Sequence, residues 1–196
     1  MVRLKSFNVC FLGRTGVGKT TLMNELYGVR FPTDPLVSCT KELYTVTKMG
    51  ECPDGYECIT IYDTPGIGEF SSNDQYQYFY EEAVANADCI ILVLTLDRTD
   101  APSQRLLITL KELFKPDVKF IVAINHIDST STTSGKSYVS WDDETNTPTD
   151  ACLNLIQERT RIVQERFNKI LSITDVVPVC GLRKYGMNIL KQNITE

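Results

Sequence analysis

This 196-residue chain has a single histidine, His126. With no second histidine and no Cys-x-x-Cys pair, nothing in it has the spacing of a zinc site. Apolar runs are short. The longest, Cys89 to Leu96, covers eight residues and includes Thr95. A membrane-spanning helix needs about 20, so no such segment is expected. Met1 to Gly13 passes directly into a strand-like pattern, without the apolar region and cleavage site of a secretory leader. Positive charge is in slight deficit, with 20 Lys+Arg against 25 Asp+Glu. That balance argues against a general nucleic-acid binder but leaves room for a local basic patch. The seven cysteines are odd in number and scattered, several of them in apolar runs where cysteine serves as a small hydrophobe. Reduced thiols and a cytoplasmic location are the expectation. A hydrophobic share of 42% and a charged share of 23% exclude disordered, collagen-like and disulfide-framework classes. The length fits one domain over 1–196.

Strand-like and helix-like runs alternate. Ser6 to Leu12 is a short β-rich run ending at Gly13, followed by a helical stretch from Lys19 to about Gly28. Glu42 to Lys48 and Tyr56 to Tyr62 read as strands joined by a hairpin turn through Gly-Glu-Cys-Pro-Asp-Gly. Asn73 to Asn86 is polar-aromatic and helical, and Asp88 to Leu96 is an apolar strand. Pro102 to Phe114 repeats leucines at helical spacing, and Val118 to Ile124 is another buried strand. From 129 to 150 the chain is polar and aperiodic, which predicts an insertion or long loop of the kind that is often functional. Helical pattern resumes near Ala151, Thr174 to Val179 is the sixth strand, and a short helix begins after Gly186. Six strands separated by helices predict an α/β domain, with a mainly parallel six-stranded sheet and helices on both faces.

Gly13-Arg14-Thr15-Gly16-Val17-Gly18-Lys19-Thr20 satisfies G-x-x-x-x-G-K-[ST] between a strand and a helix, the context the motif requires. Glycines let consecutive backbone N–H groups of Arg14 to Gly18 and the following turn to Thr21 point at phosphate oxygens. The helix N-terminus adds its partial positive charge. Lys19 then neutralises the β- and γ-phosphates, while the Thr20 hydroxyl ligates Mg2+. This is a nucleoside triphosphate site. Asp63-Thr64-Pro65-Gly66 follows a strand, so Asp63 would serve the metal and the Gly66 N–H would meet the γ-phosphate. At the end of a buried strand, Asn125 and Asp128 can both face a purine. A carboxylate there accepts from guanine N1–H and the 2-amino group, which adenine lacks, and the wrong base leaves it unpaired.

These motifs bring the chain to a family. It resembles the translation-factor-related P-loop GTPases, with five motifs in order over nearly its whole length, and within them bacterial Era-like, ribosome-binding-type GTPases. The resemblance implies a G domain that binds GTP or GDP with Mg2+ and hydrolyses GTP as a switch; a module that holds the nucleotide with little hydrolysis is the alternative. It makes Thr40 the switch residue that closes on Mg2+ and γ-phosphate. It makes Asn125-His126-Ile127-Asp128 the fourth motif, and Cys180-Gly181 the backing of the base. Lys19, Thr40 and Gly66 are then the catalytic set, with Thr20, Thr40 and Asp63 around the metal. The implied partners are a second G domain paired across the nucleotide, ribosomal RNA, or another protein.

Four departures bear on chemistry. His126 stands where the family has a lysine covering the base. Ile67 follows the DTPG motif where Ras-like members carry a water-orienting glutamine. Thr15 stands where members that accept an arginine finger have glycine, and Gly16 where potassium-activated members have asparagine. Slow turnover by the lone chain is expected, with Arg14 and Glu69 as candidate contributors to a paired site or else simple exposed residues. Of Tyr76 to Tyr80, half should pack on the sheet. Arg159, Arg161, Arg166 and Lys169 alternate with Glu158 and Glu165, as a solvated helix face does. Trp141 should anchor its loop.

Overall fold

The structure is a computed structural model that describes residues 4–31, 43–67, 77–96, 101–128 and 141–196. In chain order the elements are β1 (Ser6–Gly13), α1 (Lys19–Tyr27), β2 (Tyr44–Met49), β3 (Cys58–Asp63), α2 (Gln77–Asn86), β4 (Cys89–Thr95), α3 (Ala101–Leu110), β5 (Lys119–Asn125), β6 (Trp141–Asp142), β7 (Thr147–Pro148), α4 (Asp150–Phe167), β8 (Asp175–Pro178) and α5 (Met187–Thr195). Six strands form one sheet in the order β2-β3-β1-β4-β5-β8. β2 is antiparallel to β3, and every other pairing is parallel. The fold class read from the alternation of runs is the one observed.

Side-chain alternation along the strands divides the core in two. Cys10, Leu12, Ile90, Leu92, Val122 and Ile124 face α2, α3 and α4, whose Tyr80, Ala83, Leu107, Ile156, Val163 and Phe167 cover them. Val9, Phe11, Ile59, Ile61, Ile91 and Ala123 point the other way, onto Leu22, Met23 and Leu26 of α1 and Leu190 and Ile194 of α5. Strands buried on both faces cannot show polar alternation, which explains why β4 reads as a continuous apolar run.

Local chemistry sets several ends. α1 stops at Gly28, whose φ of 61° and N–H to the Asn24 carbonyl make a left-handed cap. α4 starts at Thr149, which accepts from the Cys152 N–H, with Asp150 in the first turn. Two expectations need correction. The helix expected over Pro102 to Phe114 gives way after Leu110 to a single 3-10 turn at Lys111–Leu113, where Phe114 leaves the helix to stack on Phe120. The stretch from 129 to 150 is not all loop. Residues 129–140 lie outside the described part, but 141–148 fold into a two-stranded hairpin and α4 begins at Asp150. Strands of two residues carry no periodicity to read.

Because β3 and β4 flank β1, the chain leaves β1 toward one side of the sheet and later fills the other. Loops at the carboxyl ends of β1, β3 and β5 therefore converge above one crevice, where open parallel sheets bind ligands.

Candidate functional site

The loop from Gly13 to Gly18 leaves β1 and enters α1. Gly16 and Gly18 have φ of 73° and 85°, values that residues with a Cβ rarely adopt. Space is as decisive as φ at Gly18, where a Cβ would fall 2.4 Å from the Asn125 amide nitrogen and 3.1 Å from His126 Nε2. Both side chains thus lie directly against the phosphate loop. No side chain caps the N-terminus of α1, which leaves it as an anion site.

Lys19 is only 6% exposed. Its Nζ arches back to donate to the carbonyls of Gly13, at 3.1 Å, and Arg14, at 3.4 Å. Asp63, at the end of β3, is 0% exposed. The Thr20 hydroxyl donates to its Oδ2 at 2.9 Å. A hydroxyl and a buried carboxylate, both hard oxygen donors, suit Mg2+, which takes one or two protein oxygens and completes its shell with water and phosphate. The donor set therefore fits the ion. Among the described residues there is no group of three or more His, Cys, Asp and Glu suited to a metal.

The Asp63–Gly66 segment is pinned on both sides. The Thr64 hydroxyl donates to the Phe11 carbonyl at 2.7 Å, and the Tyr80 hydroxyl to the Pro65 carbonyl at 2.9 Å. The Ile67 N–H donates to the Gly13 carbonyl at 2.9 Å. Gly66 rests on Thr15 so closely that a Cβ would fall 2.0 Å from the Thr15 Oγ1. Ile67 is buried in the core. Thr40 and Glu69 lie outside the described residues.

At the other end, the Asn125 side chain is 1% exposed and bonded to the protein on both sides. Nδ2 donates to the Val17 carbonyl at 2.9 Å, and Oδ1 accepts from the Gly181 N–H at 3.2 Å. Asn125 therefore ties the phosphate loop to the loop after β8. The motif shows the residue type but not which backbone groups it meets. Asp128 is 21% exposed and accepts from Arg183 Nε at 3.2 Å. Gly181 packs on Thr21 and Leu22 at the start of α1, where a Cβ would come within 3.2 Å of Leu22. Cys180 pairs with Tyr185 through both backbone hydrogen bonds. Burial pushes the Cys180 thiol up to about 11. Together with Cys10, Cys52, Cys58, Cys89 and Cys152 it is a free thiol.

All these loops stand on one strand-edge platform. Comparison with known proteins gives the arrangement its kinship: residues 8–126, more than half of the chain, match the family model described as 50S ribosome-binding GTPase. The chain belongs to that GTPase family. The family match runs from β1 to His126 and so takes in the phosphate loop, Asp63–Gly66 and the start of the fourth motif. GTP-binding protein A of Dictyostelium discoideum is 28% identical over 144 residues, covering 70% of this chain and 31% of its own. GTPase Der of Parvibaculum lavamentivorans is 35% identical over 92 residues, 45% of this chain and 19% of its own. The chain thus spans under a third of the curated relatives it matches. Among solved structures, Era in complex with MgGDPNP and nucleotides of 16S ribosomal RNA superimposes with a TM-score of 0.66, at 24% identity, over 98% of this chain and 56% of that one. A dimerization-deficient variant of Toc33 from Arabidopsis thaliana gives 0.62 at 21% identity, over 97% of this chain and 83% of that one. Likeness at this identity speaks for the fold.

Of the secondary features, Tyr80 packs on the sheet while Tyr78 is exposed, as the half-buried expectation has it. Arg161 pairs with Glu158 and Glu165 on a solvated face. Arg159 departs from that expectation, because its NH2 donates to the Thr95 carbonyl at the end of β4. Trp141 is anchored, 5% exposed. Among the described residues, no helix is long and apolar enough to cross a membrane. The residues that sequence reasoning missed are Thr64, Tyr80, Asn146 and Arg183, each of which acts through a partner distant along the chain.

Proposed function

We infer that this chain binds GTP and GDP with Mg2+ and hydrolyses GTP to GDP and phosphate, acting over 1–196 as one G domain that switches between two nucleotide states. The observation that carries this reading is the meeting of Lys19, Thr20 and buried Asp63 at one mouth, with Asn125 and His126, which lead into Asp128, against the other end of the same phosphate loop.

Lys19 is already held over the loop by two carbonyls, so phosphate oxygens exchange for those acceptors without a large side-chain movement. The backbone N–H groups from Arg14 to Thr21 cradle the phosphates, at the positive end of α1. Thr20 and Asp63 would hold Mg2+, with Thr40 as the switch residue that serves it, and the ion would supply charge neutralisation at the phosphates. Asp128 accepts from the guanine edge, His126 braces Gly18 beside the base, and Cys180 and Gly181 back it. Gly66 is packed against Thr15, so a γ-phosphate taken by the Gly66 N–H would act on that contact as the switch.

Ile67 offers no side-chain hydrogen bond to a water, so hydrolysis by the lone chain rests on positioning and charge and is slow. The missing group comes from a second copy across the nucleotide, with Arg14 as a contributor, or from another protein or ribosomal RNA. The Era complex with ribosomal RNA and the Toc33 variant named for its dimerization support those partner classes. A cytoplasmic setting agrees with the free thiols.

The test is phosphate release from GTP with Mg2+ over a wide range of protein concentration, with ATP as control. Specific activity that rises with concentration supports completion of the site in trans. A flat, slow rate with GTP bound points to an outside activator. Preference for ATP overturns the reading.

A further inference from the structure

The hairpin β6–β7 grips the loop after β8, and most of its contacts centre on Arg183. Arg183 Nε donates to Asp128 Oδ2 at 3.2 Å, and its NH1 to Asp143 Oδ1 at 2.6 Å. Its guanidinium lies 5.0 Å from the Trp141 ring centroid, within cation–π range. The Asn146 amide donates to the Arg183 carbonyl at 3.2 Å, while Asn146 Oδ1 accepts from the Trp141 indole at 3.2 Å. Trp141 also meets Tyr185 edge to face, at 5.4 Å. Asp143, with Asp128 second, raises the Arg183 pKa further above its ordinary value. An exposed ion pair alone would order very little. Here one arginine is held at its head by two carboxylates, on its face by a ring and at its backbone by an amide.

We propose that Arg183 is a positioning residue for guanine recognition, and that the 141–148 hairpin belongs to the base site because it holds Arg183 against Asp128. This rests on the reading above, in which Asp128 accepts from guanine. A carboxylate has about four lone-pair sites. Guanine N1–H and the 2-amino group need one on each oxygen, which leaves a further site on Oδ2 for Arg183. The arginine therefore fixes the rotation of the carboxylate before the base arrives and stays bonded after it. Asp128 needs such a support. It follows His126, whose φ of 56° marks an irregular turn, and it sits on a loop rather than on β5. Preorganising a polar acceptor in this way reduces the ordering cost of binding.

The test measures affinities of GDP, IDP and ADP for the full chain and for Arg183→Ala, Arg183→Lys and Trp141→Ala. IDP lacks the 2-amino group, and ADP lacks both guanine donors to Asp128. Arg183→Ala is expected to weaken GDP about tenfold, the scale of one hydrogen bond to a charged group. It should narrow the GDP-to-IDP ratio and leave ADP unchanged. Arg183→Lys, which keeps the charge and loses the planar fork, should fall between. Trp141→Ala should follow Arg183→Ala. Trp141 is the chain's single tryptophan, so its emission should change when GDP binds and stop responding in Arg183→Ala. An equal loss for GDP, IDP and ADP would mean a merely structural role and overturns the proposal. Tighter GDP binding by Arg183→Ala, meaning that the arginine competes with the base, also overturns it. If Arg183→Ala fails to fold, Arg183→Lys carries the same comparison. Wild-type protein that binds ADP as well as GDP would instead sink the functional reading on which the proposal rests.

Discussion

Asn125 and Asp128 stand three residues apart in one motif, yet the structure gives them different work, and Asn125→Ala separates the two. Asn125 satisfies the Val17 carbonyl and the Gly181 N–H, both in buried surroundings. Truncation leaves each without its partner, and a buried polar group in that state costs about 1–3 kcal/mol. Two such groups together come to about 2–6 kcal/mol. Solvent offers little relief, since the side chain is 1% exposed. For a domain of this size each kcal/mol moves the melting midpoint by about 2–4 °C. A fall of about 4–24 °C is therefore expected for the nucleotide-free protein. The comparator is Asp128→Ala, which removes a partly exposed ion pair with Arg183 and should move the midpoint by no more than about 4 °C while abolishing guanine preference. Thermal melts read by circular dichroism, with GDP and ADP affinities on the same samples, decide the matter. If Asn125→Ala melts within about 3 °C of wild type, the clasp contributes little and the argument from buried backbone partners is wrong.

Gly66→Ala places a methyl group against Thr15 Oγ1 and should cost about 1–3 kcal/mol through overpacking. It should also slow single-turnover phosphate release more than it weakens GDP, and an unchanged melt would refute the close approach of the two loops. Alkaline stability tests the buried thiols: burial holds the Cys89 thiol at about 12 against an ordinary 9.0. Between those values the unfolded chain has lost a proton that the native chain keeps, so stability falls as pH rises, by up to about 1.4 kcal/mol per pH unit for one thiol. Urea midpoints at several pH values from 8 upward should show this fall, and Cys89→Ala should lessen the slope. An identical slope in the variant would show that the thiol does not contribute.

How far the sequence could be read follows from how far each feature reaches along the chain. The parallel strands were legible because burial on both faces turns each into an apolar run. The phosphate loop was legible because its glycines, Lys19 and Thr20 are consecutive and their chemistry needs those residue types. Asp63 was legible through its position after a strand, and the structure brings Thr20 to it across 43 residues of chain. The hairpin at 141–148 was not legible, because two-residue strands have no period and Asp142 to Asn146 has the composition of a loop. Arg183 was hidden for another reason. Its partners Asp143 and Asp128 lie 40 and 55 residues away, and beside Cys180-Gly181 it looks like an ordinary surface arginine. Arg159, read as part of a solvated face, bonds the carbonyl at the end of β4 because a helix packed on a sheet edge exposes its arginines to strand ends as well as to water.

The phosphate loop touches both the segment after β3 and the loop after β5. Gly13 receives the Ile67 N–H, Thr15 bears on Gly66, Val17 receives Asn125, and Gly18 lies under His126. Its rigidity is therefore supplied from outside, by a strand end on one side and by the base loops on the other. Glycine can hold the loop's backbone angles, but it brings no side-chain packing of its own. The neighbours supply that packing, and close-packed contacts rearrange between discrete states rather than deforming smoothly. Of the four contacts, those of Gly13 and Thr15 are made to residues 66 and 67, where a γ-phosphate would enter, while those of Val17 and Gly18 are on the base side. Under the function proposed above, a third phosphate would bear on the first pair and spare the second, which would place the difference between the two nucleotide states at the contact between Thr15 and Gly66.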